Sequence, residues 1–436
     1  MKPIMRIKGL FARVEKGGLA PAGLHHFRRG DSRMHLRVDP DGNGVLVVDA
    51  SSLIRLNATG SDCAWMLLSG LDEKEASVRL AKRYGLRRKK AQEDYTVFRE
   101  SLEAVIRGDN VVLDVEETPD TLPSAPFRAD LALTYRCNAS CGHCYKGDRE
   151  VAEIDTGSWK TIINRLFDAG IPQIVFTGGE SVLRDDLEEL VNHAESLGLV
   201  TGLLTNGIGL ADPARTASLR SAGLDYVQVT LESADPAVHD GMVGIPGAWE
   251  KTVTGIRNSV AAGFHTVTNT TLCLDNQSAV LPVPAFVAGL GVAAAAFNTV
   301  ICSGHTSHGE KGLPDQRLEA LLIELKAGCE AAGVKMLWYS PTEYCRLDPE
   351  QLDLGARRCT AASMNICVEP DGSVLPCQSW FEPVGNMLCD PWEDIWNSPL
   401  FRRIRDRDYL PSKCTSCIEL SVCGGGCPLS RGIGRD

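Results

Sequence analysis

The sequence lacks a net positive charge. Its 45 lysines and arginines are outweighed by 56 aspartates and glutamates, a net charge of −11 over 436 residues. Non-specific nucleic-acid binding and adhesion to anionic membranes both need a positive surface, so neither is expected as the main role. The sequence also lacks the apolar N-terminal core of a signal peptide, since charges punctuate MKPIMRIKGLFARVEKGG. A clean membrane span is missing too. Residues 279–302 carry no charge, but Pro282, Pro284, Gly289, Gly291 and Asn298 interrupt them. A short helix followed by a buried strand is expected there instead. Hydrophobic content of 44% with 23% charged residues excludes global disorder.

Cysteine is abundant. There are 16, and nine of them lie between Cys345 and Cys427. A secreted protein could hold such a set as disulfides. Without a signal peptide, a reduced cytoplasmic location is expected, where clustered thiols usually hold metal.

The length suggests about three domains. Residues 1–118 carry no metal-like spacing and only Cys63. His35 to Leu56 reads as short strands around the turn signal Asp39-Pro40-Asp41-Gly42-Asn43-Gly44. Residues 59–107 read as helical, with Asp72 before a Glu-rich first turn and a later apolar face of Tyr95, Phe98, Leu102 and Val105. This is a small α+β unit. Residues 119–127, with Pro119, Pro123 and Pro126, read as a linker.

From 128 to 335 strands and helices alternate. LALTY, QIVFTGG, VTGLLTNG, YVQVTLES, TVTNTTLC and AAFNTVICSG read as strands, with helices such as 158–169 and 187–197 between them. Six such units imply parallel strands joined by right-handed crossovers. The expectation is an α/β fold with a partial, open (β/α)6 TIM-like barrel, a doubly wound sheet being the alternative. Ligand sites belong at the carboxyl ends of the strands in both cases. Residues 336–436 are Cys-rich and loop-rich, and a core of that composition depends on metal.

The first strand runs into LTYRCNASCGHCY. Cys137, Cys141 and Cys144 are spaced C-x3-C-x2-C on one loop. Three thiolates can bind three irons of a [4Fe–4S] cluster and leave the fourth iron open to a substrate or cofactor. A structural zinc or iron–sulfur site with a distant fourth ligand is the alternative. Further along, Gly178-Gly179-Glu180 ends the second strand, Leu204-Thr205-Asn206-Gly207 the third and Leu231-Glu232-Ser233 the fourth, and Asn276 follows the fifth.

In this order these features resemble the radical SAM superfamily over residues 128–335. The resemblance implies that Cys137, Cys141 and Cys144 hold the catalytic cluster. It implies that Gly178, Gly179 and Glu180 meet the methionine end of S-adenosylmethionine. Thr205, Asn206, Glu232, Ser233 and Asn276 are expected near the same cofactor. His143 takes the position of an aromatic that packs near adenine, with Tyr145 beside it, and packing is expected of both. The family often has proline after the GGE, where this chain has Ser181. The implied chemistry is transfer of one electron to S-adenosylmethionine, giving a 5′-deoxyadenosyl radical that abstracts a substrate hydrogen atom.

A second cysteine field follows. Cys359 precedes Gly372 by twelve intervening residues, and four more separate Gly372 from Cys377. Cys414, Cys417, Cys423 and Cys427 then follow as C-x2-C-x5-C-x3-C. This resembles the SPASM extension, which holds auxiliary iron–sulfur clusters. A zinc site made by the four cysteines of 414–427 is the alternative, but it leaves Cys359 and Cys377 idle. By resemblance Cys359, Cys377 and Cys427 serve one cluster, with Cys367 as the expected fourth ligand and Cys345 as runner-up. Cys414, Cys417 and Cys423 serve another, without the family's seventh cysteine. Cys389, a carboxylate or an open iron could replace that cysteine, so one or two auxiliary clusters are expected. Cys63 and Cys329 are expected to pack as small apolar groups. Cys273 and Cys302 are expected mainly to pack, with a hydrogen-atom donor role as the alternative.

Residues 30–107 resemble a PqqD-like winged-helix domain, which binds a leader peptide by strand addition. The carrying segments are VLVVDASSLIRLNATGSDCAWMLLSG and LDEKEASVRLAKRYG. The basic run 87–90 is expected to be a solvated helix face, with attraction of an acidic leader as the alternative. The combined expectation is a peptide maturase acting on a ribosomally made precursor and supplied with electrons by a flavodoxin or ferredoxin. The product would be a thioether or carbon–carbon cross-link, or an epimer. A maturase of a protein active site or small molecule, and a non-catalytic iron–sulfur carrier or scaffold, are the alternatives.

Overall fold

The computed structural model describes residues 5–6, 19–29, 32–48, 52–107, 113–114 and 123–434. The chain divides into a first compact unit ending at Ala125 and a second holding Pro126–Ile163, Gln173–Glu195 and Thr201–Asp436. Asn164–Pro172 and Ser196–Val200 group with the first unit.

In the first unit four antiparallel strands stand in chain order: β1 (Gly23–Arg29), β2 (Ser32–Val38), β3 (Gly44–Val48) and β4 (Ser52–Leu56). The turn read at 39–44 closes with Asp39 N–H donating to Asn43 O at 2.7 Å, and Gly42 adopts φ 89°. Three helices follow: α1 (Ala58–Leu68), α2 (Glu73–Tyr84) and α3 (Arg88–Ile106). Asp72 caps α2 by accepting Glu75 N–H at 2.7 Å, and Gly85 ends it in the left-handed region. Met34, Leu36, Leu46, Met66, Leu80 and Tyr95 form the shared core. Cys63 is buried there, as expected, and burial pushes its thiol up. Strand β1 is not expected from the sequence, because GLHHFRR has no apolar alternation; it lies at one end of the sheet order. Of the expected linker, residues 119–122 lie outside the described residues.

The second unit is built on a mostly parallel sheet. Its strands are β5 (Arg128–Thr134), β6 (Gln173–Gly178), β7 (Val200–Thr205), β8 (Tyr226–Thr230), β9 (His265–Leu272), β10 (Ala294–Thr299), β11 (Lys335–Trp338), β12 (Asn365–Val368) and β13 (Val374–Leu375). The spatial order is β11-β10-β9-β8-β7-β6-β5-β12-β13. The six expected strands are therefore adjacent and sequential. The sheet is open, with β11 added at one edge and β12 and β13 at the other. Strand β12 pairs parallel to β5, placing Cys367 opposite Asp130. The Cys-rich segment thus continues the barrel sheet.

Helices α4 (Thr156–Asp168) and α5 (Leu187–Ser196) show why the crossovers are helical. Trp159, Ile162, Ile163 and Leu166 recur at helical spacing and are fully buried. Asp155 caps α4 by accepting Ser158 N–H at 2.7 Å. The uncharged stretch at 279–302 contains a short helix, Val283–Gly289, and strand β10. No helix among the described residues is long and apolar enough to cross a membrane.

Candidate active site

The loop carrying Cys137, Cys141 and Cys144 leaves the carboxyl end of β5. Neighbouring strand ends hold it from several sides. Gly179 N–H donates to Thr134 O at 2.7 Å, and Glu180 N–H to Arg136 O at 2.9 Å. A Cβ on Gly178 would stand 2.2 Å from Thr134 O, and one on Gly179 would stand 2.3 Å from Arg136 O. Both glycines are therefore required by the close approach of β6 to the loop. Asn206 Nδ2 donates to Asn138 Oδ1 at 2.7 Å, tying the end of β7 to the same loop. Ser140 N–H donates to Val243 O at 2.9 Å.

The segment after β10 covers the loop's far side. His305 N–H donates to Cys144 O at 3.0 Å, and His305 Nδ1 lies 3.2 Å from Cys141 O. Gly304 has φ 56°, and a Cβ there would meet Cys144 O at 2.3 Å. Lys311 Nζ, paired with Asp275 at 2.5 Å, would lie 2.9 Å from a Cβ on Gly142. Sequence reasoning missed Asn138, Gly304, His305 and Lys311. Only Asn138, beside Cys137, and Gly304, closing the AAFNTVICSG segment, carried any signal.

The strand-end polar residues turn mostly inward. Glu180 is 1% exposed, and its carboxylate accepts from Thr205 Oγ1 at 2.9 Å, Asn206 N–H at 2.8 Å and Val182 N–H at 3.2 Å. Burial raises its pKa, and those three donors work against the rise. Glu232 is fully buried, accepting from Thr271 N–H at 2.8 Å and pairing with His143 Nε2 at 2.9 Å. Asn276 Nδ2 donates to Glu232 O and Thr271 O, both at 2.9 Å, and Ser233 Oγ donates to Ala279 O at 3.2 Å. Glu232, Ser233 and Asn276, expected near the cofactor, are thus each engaged with neighbouring strand-end and loop groups. Polar groups buried this deeply must find partners within the protein, and here those partners fix the strand ends and His143. Tyr145 directs its hydroxyl to Gly178 O at 3.2 Å, joining loop to strand.

His143 is different. Burial alone would lower its pKa, but the Glu232 charge and hydrogen bond outweigh this and raise it. Its Nδ1 is buried with no hydrogen-bond partner among the described residues. It is therefore a polar atom available to a bound group.

The radical SAM superfamily model matches residues 131–279, and the SPASM model, an iron–sulfur cluster-binding domain, matches residues 359–418. PqqA peptide cyclase of Gluconobacter oxydans is 30% identical over 319 residues, covering 70% of this chain and 87% of its own. The chain belongs to the radical SAM superfamily. AdoMet-dependent heme synthase of Nitratidesulfovibrio vulgaris is 27% identical, covering 67% of this chain and 85% of its own. Crystal structures of Streptococcus suis SuiB, bound to S-adenosylmethionine and to precursor peptide SuiA, share the fold with TM-scores of 0.67 and 0.66. Their identities are 17% and 15%; they cover 90% and 93% of this chain and 96% of their own.

As a radical SAM enzyme the protein uses a [4Fe–4S] cluster and S-adenosylmethionine, and its SPASM domain carries auxiliary iron–sulfur clusters. The residues present fit these groups. Burial, the Glu232 charge, Cys144 and Cys137 push the Cys141 thiol up; burial, Glu180 and Cys144 do the same to Cys137. The thiols are close enough to repel one another once ionised, and bound iron relieves that repulsion. A single ion would need thiols within about 4 Å of each other. No three His, Cys, Asp or Glu side chains among the described residues converge in that way. A four-iron cluster instead spreads its thiolates over separate irons.

In the radical SAM enzyme's second thiol field, Cys359, Cys377 and Cys427 are half-buried, and burial, Cys427 and Cys377 push the Cys359 thiol up. Burial and Cys427 push Cys377 up to about 12. The Cys423 sulfur accepts Tyr344 N–H and Gly425 N–H, both at 3.4 Å. Cys414 is half-buried, while Cys417, Cys345 and Cys389 are exposed. Gly424, Gly425 and Gly426 have φ 64°, 82° and 77°, which explains three successive glycines between Cys423 and Cys427. Cys367 lies inside β12 and is fully buried among Ala132, Tyr135 and Leu375. Cys329 is buried, as expected. Cys273 packs beneath Met242 and Val300. Cys302 lies 3.8 Å from Ser430 Oγ in the second thiol field.

Proposed function

We propose that this radical SAM/SPASM enzyme modifies a ribosomally made precursor peptide. Cys137, Cys141 and Cys144 hold the catalytic cluster, and the end of β6 and His143 Nδ1 receive S-adenosylmethionine. When bound, the pair supplies a 5′-deoxyadenosyl radical that takes a hydrogen atom from the substrate. The chain's own part is positional. Glycines at 178, 179 and 304 allow strand ends to clamp the cluster loop, and Glu232 orients His143. The result is a cross-link, thioether or carbon–carbon, or an epimer. Electrons come from a reductant such as a flavodoxin or ferredoxin.

The observation carrying this reading is a three-thiol loop at the carboxyl end of β5 in one sheet with a SPASM segment. The peptide class is supported by the PqqA peptide cyclase relative, which matches over 87% of its length. The four-stranded first unit supports a leader-binding role, since β1 and β4 end its sheet order and strand addition needs a sheet edge. The heme synthase relative favours a second reading, in which the substrate is a small molecule.

The test is anaerobic reconstitution, with iron counted beside a Cys137→Ala, Cys141→Ala, Cys144→Ala variant. The parent should hold about twelve irons and the variant about eight, or about eight and about four with a single auxiliary cluster, with 5′-deoxyadenosine formed only by the parent. If 5′-deoxyadenosine forms equally in both, the cluster assignment fails. Acceleration of its formation by a precursor peptide supports the peptide reading; acceleration only by small molecules removes it.

A further inference from the structure

We infer that Cys302, and not Cys367, supplies the fourth thiolate to the auxiliary cluster held by Cys359, Cys377 and Cys427. The inference rests on the reading that those three thiols hold a cluster.

A ligand sulfur must face the space its cluster occupies. Cys359, Cys377 and Cys427 all retain partial exposure, as does Cys302. Cys367 has none. It sits in the middle of three strands, opposite Asp130 of β5 on one side and Leu375 of β13 on the other. Its side chain fills a core of Ala132, Tyr135 and Leu375. Drawing that sulfur into a cluster would pull a strand out of two ladders and leave a cavity.

Cys302 needs no such movement. It follows β10 on a segment tied to both ends of the ligand set. On one side Ser303 Oγ donates to Ser379 O at 2.8 Å, two residues past Cys377. On the other, Cys302 Sγ lies 3.8 Å from Ser430 Oγ. Ser430 in turn donates its N–H to Cys427 O at 3.2 Å. One residue therefore contacts both Cys302 and Cys427. The segment is stiffened by Thr306 Oγ1 donating to Ile301 O at 2.8 Å. On ligation the Cys302 thiol gives up its proton and its sulfur bonds iron. It then has no hydrogen atom to return to a substrate. The same loop holds Gly304 and His305 against Cys144, so it would join the two cluster sites directly.

The experiment uses the full chain carrying Cys137→Ala, Cys141→Ala and Cys144→Ala, so that only auxiliary clusters remain. Cys302→Ser, Cys302→Ala and Cys367→Ala are each added to it. Iron and sulfide are counted, and Mössbauer and EPR spectra are recorded. The expected result for Cys302→Ser is retained iron with a shifted auxiliary signal, because oxygen replaces sulfur on one iron. Cys302→Ala should lose roughly one iron per chain and show a three-iron signal when oxidised. Cys367→Ala should keep the parent spectrum. An unchanged spectrum in Cys302→Ser overturns the assignment, whatever Cys367→Ala does. If the starting variant binds no iron, the auxiliary-cluster reading falls first and this inference falls with it.

Discussion

The two thiol fields are built in opposite ways. The Cys137–Cys144 loop is clamped by the ends of β6 and β7 and by the segment after β10, through backbone and side-chain hydrogen bonds. The Cys359–Cys427 field sits on short turns, with glycines in the left-handed region and sulfurs that accept backbone N–H groups. The first site is shaped by the sheet and receives its cluster. The second is expected to take much of its order from its cluster. The lesson is that ligand spacing alone does not say whether a protein holds a metal or a metal holds a protein.

Removal of iron should produce the largest separation between the two. Chelation under reducing conditions is expected to open residues 369–434 to proteolysis while leaving the parallel sheet protected. Hydrogen exchange resolved by peptide measures this directly. Equal protection in both regions would break the contrast.

Glu369 joins the fields and should come next. It is buried, receives Arg149 Nε at 2.6 Å and the Tyr135 hydroxyl at 2.9 Å, and lies two residues beyond Cys367. Glu369→Ala leaves Arg149, 31% exposed, without its partner and should cost about 2–3 kcal/mol. Chemical denaturation should show both regions weakened together, whereas loss confined to one would place the join elsewhere.

Gly304→Ala is more local. The added Cβ meets backbone oxygens at 2.3 and 2.4 Å. A cost of about 2–3 kcal/mol is expected, with the larger iron loss at the first cluster. Gly425→Ala is its counterpart, since its Cβ meets Leu410 Cδ2 at 2.5 Å, and there auxiliary iron should fall. Identical iron losses in the two variants would contradict independent construction.

The smallest effect concerns pH. The His143 pKa is raised above 6.5 by Glu232. The pair's contribution in the cluster-free protein is fully present below that ordinary value and is lost as pH rises through the raised one. The expected size is about 1 kcal/mol. Glu232→Gln should flatten the slope of stability against pH in this window, and a slope unchanged from the parent would remove His143 as its source.

Much of this was legible in sequence because the determinants are local. Strand-like runs alternating with helical stretches located the six barrel strands, Asp72 announced the start of α2, and Cys137, Cys141 and Cys144 announced their own chemistry. Strand β1 was hidden because its face alternates weakly. Glu180, Glu232, Ser233 and Asn276 were found as residues, but their hydrogen-bond partners were not legible. Nothing in a one-dimensional pattern says whether a carboxylate at a strand end faces the ligand or its neighbours.

Most of the strands and helices, and the spacing of the thiols, were therefore legible in the chain itself, because spacing and periodicity are properties of consecutive residues. Three-dimensional packing was needed to make β12 extend the barrel sheet and bury Cys367. It was also needed to bring Cys302 beside Ser430, Glu369 to Tyr135 and Gly304 against Cys144. Those meetings depend on contacts between segments far apart in the chain, where the requirement to pair every buried polar group selects one arrangement.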